Sequence, residues 1–412
     1  MHEKMKHLYI GVDLHKQHHV AVIMDCWQEK ITEIKVENKP AAFPAFLLDI
    51  DKLVGEGLTP IFGLEDVGGY GRALAQFLTD HGQVVKEVNP ALSAAERKSH
   101  VTTHKSDSWD AECVARILVN KLHSLPDAMP DDLYWSIQQL VTRRNGLVKA
   151  QGALKNQLHI QLSYHYPSYK KFFSEIDGKT AIAFWERYPS PSNLEGLHIE
   201  QLTDFLLEAS NNTCSTKKAS DILRLVKADG QTAKEYQDTR DFLVRSIVRD
   251  ITFKKQEMRK VENALRELMR LLEYKLDSMP GIDLVTASAL IAEIGDIRRF
   301  PNANKLARFA GIAPVYIGSG GKGKERKSKQ GNRALHALFY NLAVQQVQVA
   351  KGSKLPRNPV FHAYYQRKLK EGKTKGQALV CIMRRLVNII YGMMKHKTAY
   401  ELPIINNQER VS

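Results

Sequence analysis

A short apolar run that ends on a carboxylate constrains this chain more than any other feature. Leu8 to Val12 is apolar and partly β-branched, as a buried strand requires, and Asp13 falls where that strand leaves its sheet. Glu65 closes a second such run, Pro60–Leu64. Its acidic neighbour, Asp66, is sent to the opposite face by strand alternation. Asp107 and Asp110 open a helix that continues through Ala111, Val114, Ala115, Ile117 and Leu118. Three residues apart, they project from one face within a single turn. Each acid alone would pass for a turn cap or for a first-turn residue favoured by the helix dipole. Gathered together, they offer what oxygen-preferring divalent cations require.

The spacing of apolar residues predicts strands at Leu8–Val12, His19–Met24 and Ile31–Val36, a helix over Ala41–Leu53 and a strand at Pro60–Leu64. A helix over Ala73–His81, a strand at Val84–Val88 and a helix over Ser106–Leu122 follow. Three meandering strands and then α-β-α-β-α is the order of an α/β ribonuclease-H-like sheet. The acids fall at the end of its first strand, at the end of its fourth and on its last helix. His15, His18 and His19 resemble a metal cluster, but catalytic magnesium prefers oxygen, so they read as turn residues between the first two strands. Trp109, beside the acids, packs under its helix or stacks on a base, with packing the simpler reading.

His123–Asp132 reads as a linker, followed by a long helix from about Leu133 to Leu162 carrying Arg143, Arg144, Lys149 and Lys155. Residues 164–193 are rich in aromatics, Pro and Ser and resist assignment. A second long helix, roughly Ala233 to Tyr274, has a heptad-like seam of Leu243, Ile247, Ile251, Met258, Val261, Leu265, Leu268 and Leu272. That seam packs on the chain's own long helix or pairs two subunits. Pro280-Gly281 lies between helices, where Gly281 lets the backbone approach a phosphate and the next helix's amides face it, as in a helix-hairpin-helix.

Charge is unevenly placed. The 412 residues carry +15, yet positions 297–400 hold roughly 22 Lys and Arg against 2 acids. The rest is therefore slightly acidic, which suggests metal chemistry in one half and phosphate contact in the other. In the basic half, Gly318-Ser319-Gly320 precedes Lys322, Lys324, Arg326, Lys327 and Lys329, and Asn332-Arg333 follows. Glycines leave the Ser319 hydroxyl accessible beside cations that suit a phosphodiester, although Gly-Ser-Gly alone is ordinarily a turn. Ser328, within Lys-Ser-Lys, is a reserve candidate to Ser319 but reads first as part of a phosphate-contacting loop. The four cysteines are scattered without a CxxC pair, which argues against zinc and disulfides and fits a reducing cytosol. The apolar stretches Leu284–Ile294 and Ala378–Met394 are interrupted by charges, so the expectation is a cytoplasmic protein with no membrane partner.

On these residues the chain resembles the IS110 family of insertion-sequence transposases, the DEDD type with a RuvC-like domain, related to site-specific DNA invertases. The motifs are Gly11-Val-Asp13, Glu65-Asp-Val-Gly68, Val88-Asn-Pro90 and Lys105-Ser-Asp107-Ser-Trp-Asp110, then Pro280-Gly281, Ala310-Gly-Ile-Ala-Pro314, Ser319-Gly320 and Lys329-Gln-Gly331-Asn332. The resemblance implies a metal site of Asp13, Glu65, Asp107 and Asp110 holding one or two Mg²⁺ ions, and Ser319 as nucleophile. It also implies a structured guide RNA that pairs with donor and target DNA, and a homo-oligomer, dimer or tetramer.

The expected architecture is a RuvC-like domain over 1–130, a long helical or coiled-coil region over 131–275, a helix-hairpin-helix and serine-bearing domain over 276–400, and a tail over 401–412. The expected nucleic-acid contacts are Arg143, Arg144, Lys155, Gly281, Lys322, Lys324, Arg326, Lys327, Lys329, Asn332 and Arg333. Two other readings stay open: a RuvC-like metal-dependent nuclease (a junction resolvase) that uses water in place of serine, and a non-catalytic DNA- or RNA-binding regulator.

Overall fold

The computed structural model describes residues 2–100, 106–230, 235–319, 322–326, 328 and 330–402. The chain forms two compact units, one of residues 1–136 with 291–412 and the other of 137–290.

The first unit opens with β1 (His7–Leu14), β2 (His18–Met24) and β3 (Lys30–Glu37), an antiparallel meander. Helix α1 (Phe43–Asp51) leads to β4 (Thr59–Leu64), α2 (Arg72–Asp80) and β5 (Val84–Glu87). β4 lies parallel to β1 and β5 parallel to β4, giving a mixed five-stranded sheet of order β3-β2-β1-β4-β5. Such an order with a mostly helical remainder is compatible with a ribonuclease-H-like fold. One face buries Leu8, Ile10, Val12, Phe62 and Leu64 against Phe43, Phe46, Ile50, Leu74 and Leu78 of α1 and α2.

The other face is covered by α4 (Asp107–Lys121), which follows α3 (Pro90–Ser99). α4 lies directly on the backbone of β1: a Cβ at Gly11 would sit 2.2 Å from the carbonyl oxygen of Ala111 and 2.3 Å from the amide nitrogen of Ala115. Only glycine permits that approach. α3 has no counterpart among the elements expected from the sequence. Asn89 caps it by accepting from the Ala91 N–H, and Pro90 occupies its first turn, where a missing N–H costs nothing.

The second unit contains most of α5 (Asp132–His165), then α6 (Lys179–Arg187), α7 (Ile199–Ser210), α8 (Thr216–Asp229) and α9 (Gln237–Leu272). The aromatic-rich stretch that resists assignment is the core of this unit. Tyr166, Phe172, Phe184 and Trp185 pack with Leu158, Leu162, Val244, Val248 and Ile251. α5 and α9 run side by side in opposite directions, with Arg144 Nε 2.8 Å from Glu262 Oε1 and His165 near Asp241. In the seam on α9, Ile251, Leu265 and Leu272 are buried, whereas Leu243 is exposed and the rest half-buried.

α10 (Leu284–Ile294) and α11 (Ala303–Phe309) lead to a two-stranded antiparallel ribbon, β6 (Val315–Ser319) and β7 (Lys322–Arg326). α12 (Arg333–Val347), α13 (Pro359–Lys370) and α14 (Lys375–His396) complete the first unit. α14 is long and apolar enough to cross a bilayer by length and composition, but half of that window is buried. Its Ile382, Met383, Leu386, Val387 and Ile390 are core residues, and it packs on α11, α12 and α13.

Candidate active site

Strand register brings the first two acids together. Val12 pairs with Leu64 in the parallel β1–β4 ladder, so Asp13 and Glu65 are the next residues along neighbouring strands. Asp13 and Glu65 are both half-buried, whereas Asp66 is exposed and spends its carboxylate on the Gly69 and Tyr70 amides, shaping the loop. Trp135 donates through Nε1 to the Gly68 carbonyl of that loop and stacks beneath Arg72, which also pairs with Asp132.

α4 supplies the other two acids. Ser106 caps it, accepting from the Trp109 N–H, which places Asp107 and Asp110 in the first turn, where the helix dipole favours negative charge. Asp110 is 9% exposed and accepts from Arg97 Nη1 of α3 at 3.1 Å. Asp107 is exposed. Trp109 is half-buried and meets His100 edge-on at 5.0 Å between ring centroids, which supports packing.

A histidine lies among these acids. His15 Nε2 is 2.9 Å from Asp13 Oδ2 and 3.4 Å from Asp107 Oδ1. Asp13, His15 and Asp107 offer donor atoms that all lie within 4.8 Å of one another. The sequence predicts a turn residue at His15, yet its position two residues past Asp13 is the signal that sets it beside the acids. Asp110 is near enough to act on the Asp13 carboxyl, and Glu65 is related to Asp13 by strand register; neither belongs to this trio. Burial pushes the Asp13 carboxyl above the usual carboxylate range; His15 pulls it down, and Asp110 and Asp107 push it up. Burial also drives the His19 imidazole down to about 4, so it is neutral and accepts the His15 N–H through Nδ1.

A carboxylate destabilised by burial and by two more acids suits a bound divalent cation, and hard oxygen donors from β1 and α4 suit magnesium or a close relative. The trio is therefore a candidate site for a divalent cation.

The basic residues fall in several settings. Ser319 ends β6, paired in register with Lys322, and Arg326 on β7 is exposed. The side chains of Ser319, Lys322 and Lys324, and all of Lys105, Lys327 and Lys329, lie outside the described residues. Ser328, the reserve nucleophile, closes a local turn: its Oγ donates to the Gln330 carbonyl and accepts the Gln330 N–H. Gly311 and Gly331, both at positive φ, press together so closely that a Cβ on Gly331 would sit 2.6 Å from the Gly311 nitrogen. Beside them is a recess of about 560 Å³ lined by Ser328, Gln330, Asn332, Arg333 and His336. Arg333 is exposed there, while Asn332 caps α12 and donates to Glu293 Oε2 at 2.6 Å. His336 was absent from the sequence-based candidates.

In the helical unit Arg143 is exposed, but Arg144 and Lys155 are engaged in ion pairs with Glu262 and Asp177. Gly281 has φ of +89°, and the first turn of α10 is already served by Asp283, which accepts the Thr286 N–H at 2.7 Å.

Comparison with known proteins decides the family. A transposase model of the IS110 DEDD type matches residues 10–167, and one described as the transposase IS116/IS110/IS902 family matches residues 273–366. The chain belongs to the IS110/IS116 family of transposases. It is 24% identical to the insertion element IS116 uncharacterized 44.8 kDa protein of Streptomyces clavuligerus, over 95% of this chain and 96% of that one. It is 27% identical to the insertion element IS110 uncharacterized 43.6 kDa protein of Streptomyces coelicolor, over 72% of each. A pilin gene-inverting protein of Moraxella bovis is 32% identical over 31% of this chain and 38% of its own length. Membership makes this an insertion-sequence transposase, a DNA-recombining enzyme.

Proposed function

We propose that this transposase cuts and rejoins DNA through two groups of residues: a RuvC-like metal site of Asp13, Glu65, Asp107 and Asp110, and the nucleophile Ser319. The observation that carries the reading is the convergence of β1, β4 and α4, which puts acids from three separated segments at one end of one sheet. When bound, one or two Mg²⁺ ions would orient the scissile phosphate and offset charge on the leaving oxygen. Asp13 and Asp107 would hold the ion, Glu65 and Asp110 would complete its surroundings, and Arg97 would hold the Asp110 carboxylate in place.

Ser319 would form a new phosphoester bond as the bridging P–O bond to the adjoining nucleotide breaks. The hydroxyl proton passes to water and the departing oxygen takes up a proton. The cut end, held as a serine ester, conserves the bond for rejoining. Lys322, Lys324, Arg326, Lys327, Lys329 and Arg333 would neutralise the phosphodiester, and Arg143 and the turn at Gly281 would track backbone elsewhere. The full reading keeps a RuvC-like domain over 1–130, a helical region over 131–275 and a serine-bearing domain with a helix-hairpin-helix over 276–400. It also includes a structured guide RNA, and subunit pairing into a dimer or tetramer that draws on exposed Leu243 and its neighbours on α9. Such a protein would act in the cytoplasm.

The experiment combines purified protein, candidate guide RNA and labelled DNA ends with Mg²⁺ on a denaturing gel. A protein-linked DNA band that disappears in Ser319→Ala is the expected result. Cleavage without an adduct, unchanged by Ser319→Ala, would replace the reading with a metal-dependent nuclease that uses water.

A further inference from the structure

The nitrogen donor among the acids has its own consequence. Two donors side by side on one octahedral ion, each about 2.1 Å from it, stand roughly 3 Å apart. His15 Nε2 meets Asp13 Oδ2 and Asp107 Oδ1 at 2.9 and 3.4 Å, spacings that suit neighbouring positions on a single ion. The ring is also aimed by its own backbone. The His15 N–H donates to Nδ1 of buried His19 at 3.2 Å, and its carbonyl accepts from Asn38 Nδ2 at 3.3 Å. Asn38 donates as well to the Tyr70 carbonyl at 3.1 Å, tying the His15 turn to the loop that follows Glu65. His18 lies nearby but outside the trio, its ring centroid 5.7 Å from that of His15 and its Nε2 3.8 Å from Asp107 Oδ2.

Resting on the acid-site reading above, we propose that His15 is a nitrogen ligand of the ion held by Asp13 and Asp107, so that the centre takes Mn²⁺ in preference to Mg²⁺. Imidazole binds first-row transition ions, whereas Mg²⁺ is bound almost wholly through oxygen and water. A mixed nitrogen–oxygen set therefore shifts selectivity towards the transition ion. The competing arrangement is a ring that only hydrogen-bonds the two carboxylates and leaves the ion an all-oxygen shell.

Pulsed electron paramagnetic resonance on the full chain, with Mn²⁺ as probe, separates the two. The expected result is nitrogen modulation from a coordinated imidazole, present in His18→Ala and lost in His15→Ala while Mn²⁺ remains bound. Mn²⁺ affinity should fall about tenfold in His15→Ala. Mg²⁺ affinity, measured by competition, should change less than about twofold, because that ion draws on the oxygens. Bound Mn²⁺ without nitrogen modulation, or modulation that survives His15→Ala, overturns the assignment and leaves the acid site standing. Absence of Mn²⁺ binding, or binding that Asp13→Asn does not weaken, overturns the acid site and this inference with it.

Discussion

Asp13, at the end of β1, and Asp177, in the helical unit, are carboxylates whose surroundings push them in opposite directions. Asp177 is 5% exposed and bridges Lys155 and Lys255, at 2.8 and 3.0 Å, and accepts from Gln151. Burial alone would raise its carboxyl, but the two ammonium groups outweigh it and hold it below the usual range. Asp13 is also raised by burial, and two of its charged neighbours are further acids. One region spends cations to hold helices together; the other gathers like charges at the end of the central strand of a sheet. At Asp177 the cations outweigh burial, whereas at Asp13 burial and the neighbouring acids outweigh the single His15 contact.

This contrast can be broken most directly by exchanging each acid for its amide. Asp13→Asn should lower strand cleavage by about 1000-fold or more while leaving the melting temperature unchanged or raised. Asp177→Asn should lower the melting temperature and leave cleavage per folded molecule within about twofold. An Asp13→Asn protein that melts as early as Asp177→Asn would end the distinction.

Gly11→Ala tests the frame beneath the acidic site. Its methyl meets backbone and not a flexible side chain, so it should cost about 3 kcal/mol in urea unfolding and weaken divalent-ion binding. On the structural side, Asp177→Ala should cost about 2 kcal/mol by leaving Lys155 and Lys255 without their acid. Replacing both lysines by Met in that background should recover part of the loss, and no recovery would show that the acid stabilises by another route.

The smallest effect is in pH. Asp177 has a folded pKa below its unfolded one, so its stabilisation is present above the ordinary carboxylate value and is lost as pH falls through the folded value. Asp13 has a folded pKa above its unfolded one, so its cost to stability develops as pH rises from the ordinary value through the raised one. In ion-free buffer, the advantage of Asp13→Asn over the parent should grow with rising pH across that window. Urea midpoints measured from about pH 3 to pH 7 check both signs.

The sheet was legible because β1, β2, β3 and β4 are short apolar runs whose boundaries the sequence places within two residues, and strand order then decides where Asp13 and Glu65 meet. Arg97 escaped notice because α3 is polar and short, with only Ser93 buried, so periodicity gave no helix to carry it. His15 was set aside on ligand preference, an argument about ions that says nothing of where a turn aims its side chain. The helical unit was opaque for a different reason. Its core is built from aromatics in short helices and 3₁₀ turns, so apolar residues there follow no single period. β6 and β7 read as a glycine-rich loop because their strand signal, Val315-Tyr-Ile, is brief and the facing strand is almost entirely charged or glycine.

With no side chain between β1 and α4 at Gly11, the gap between Asp13 and the turn bearing Asp107 is a dimension of the main chain. It works as a gauge block does, setting a width that does not depend on which groups later line it. An insertion sequence that loses one acid by point mutation would therefore retain an intact cradle. A single reversion would restore the proposed acid site in such a copy, whereas a copy that loses Gly11 would have to rebuild the fit of helix on strand.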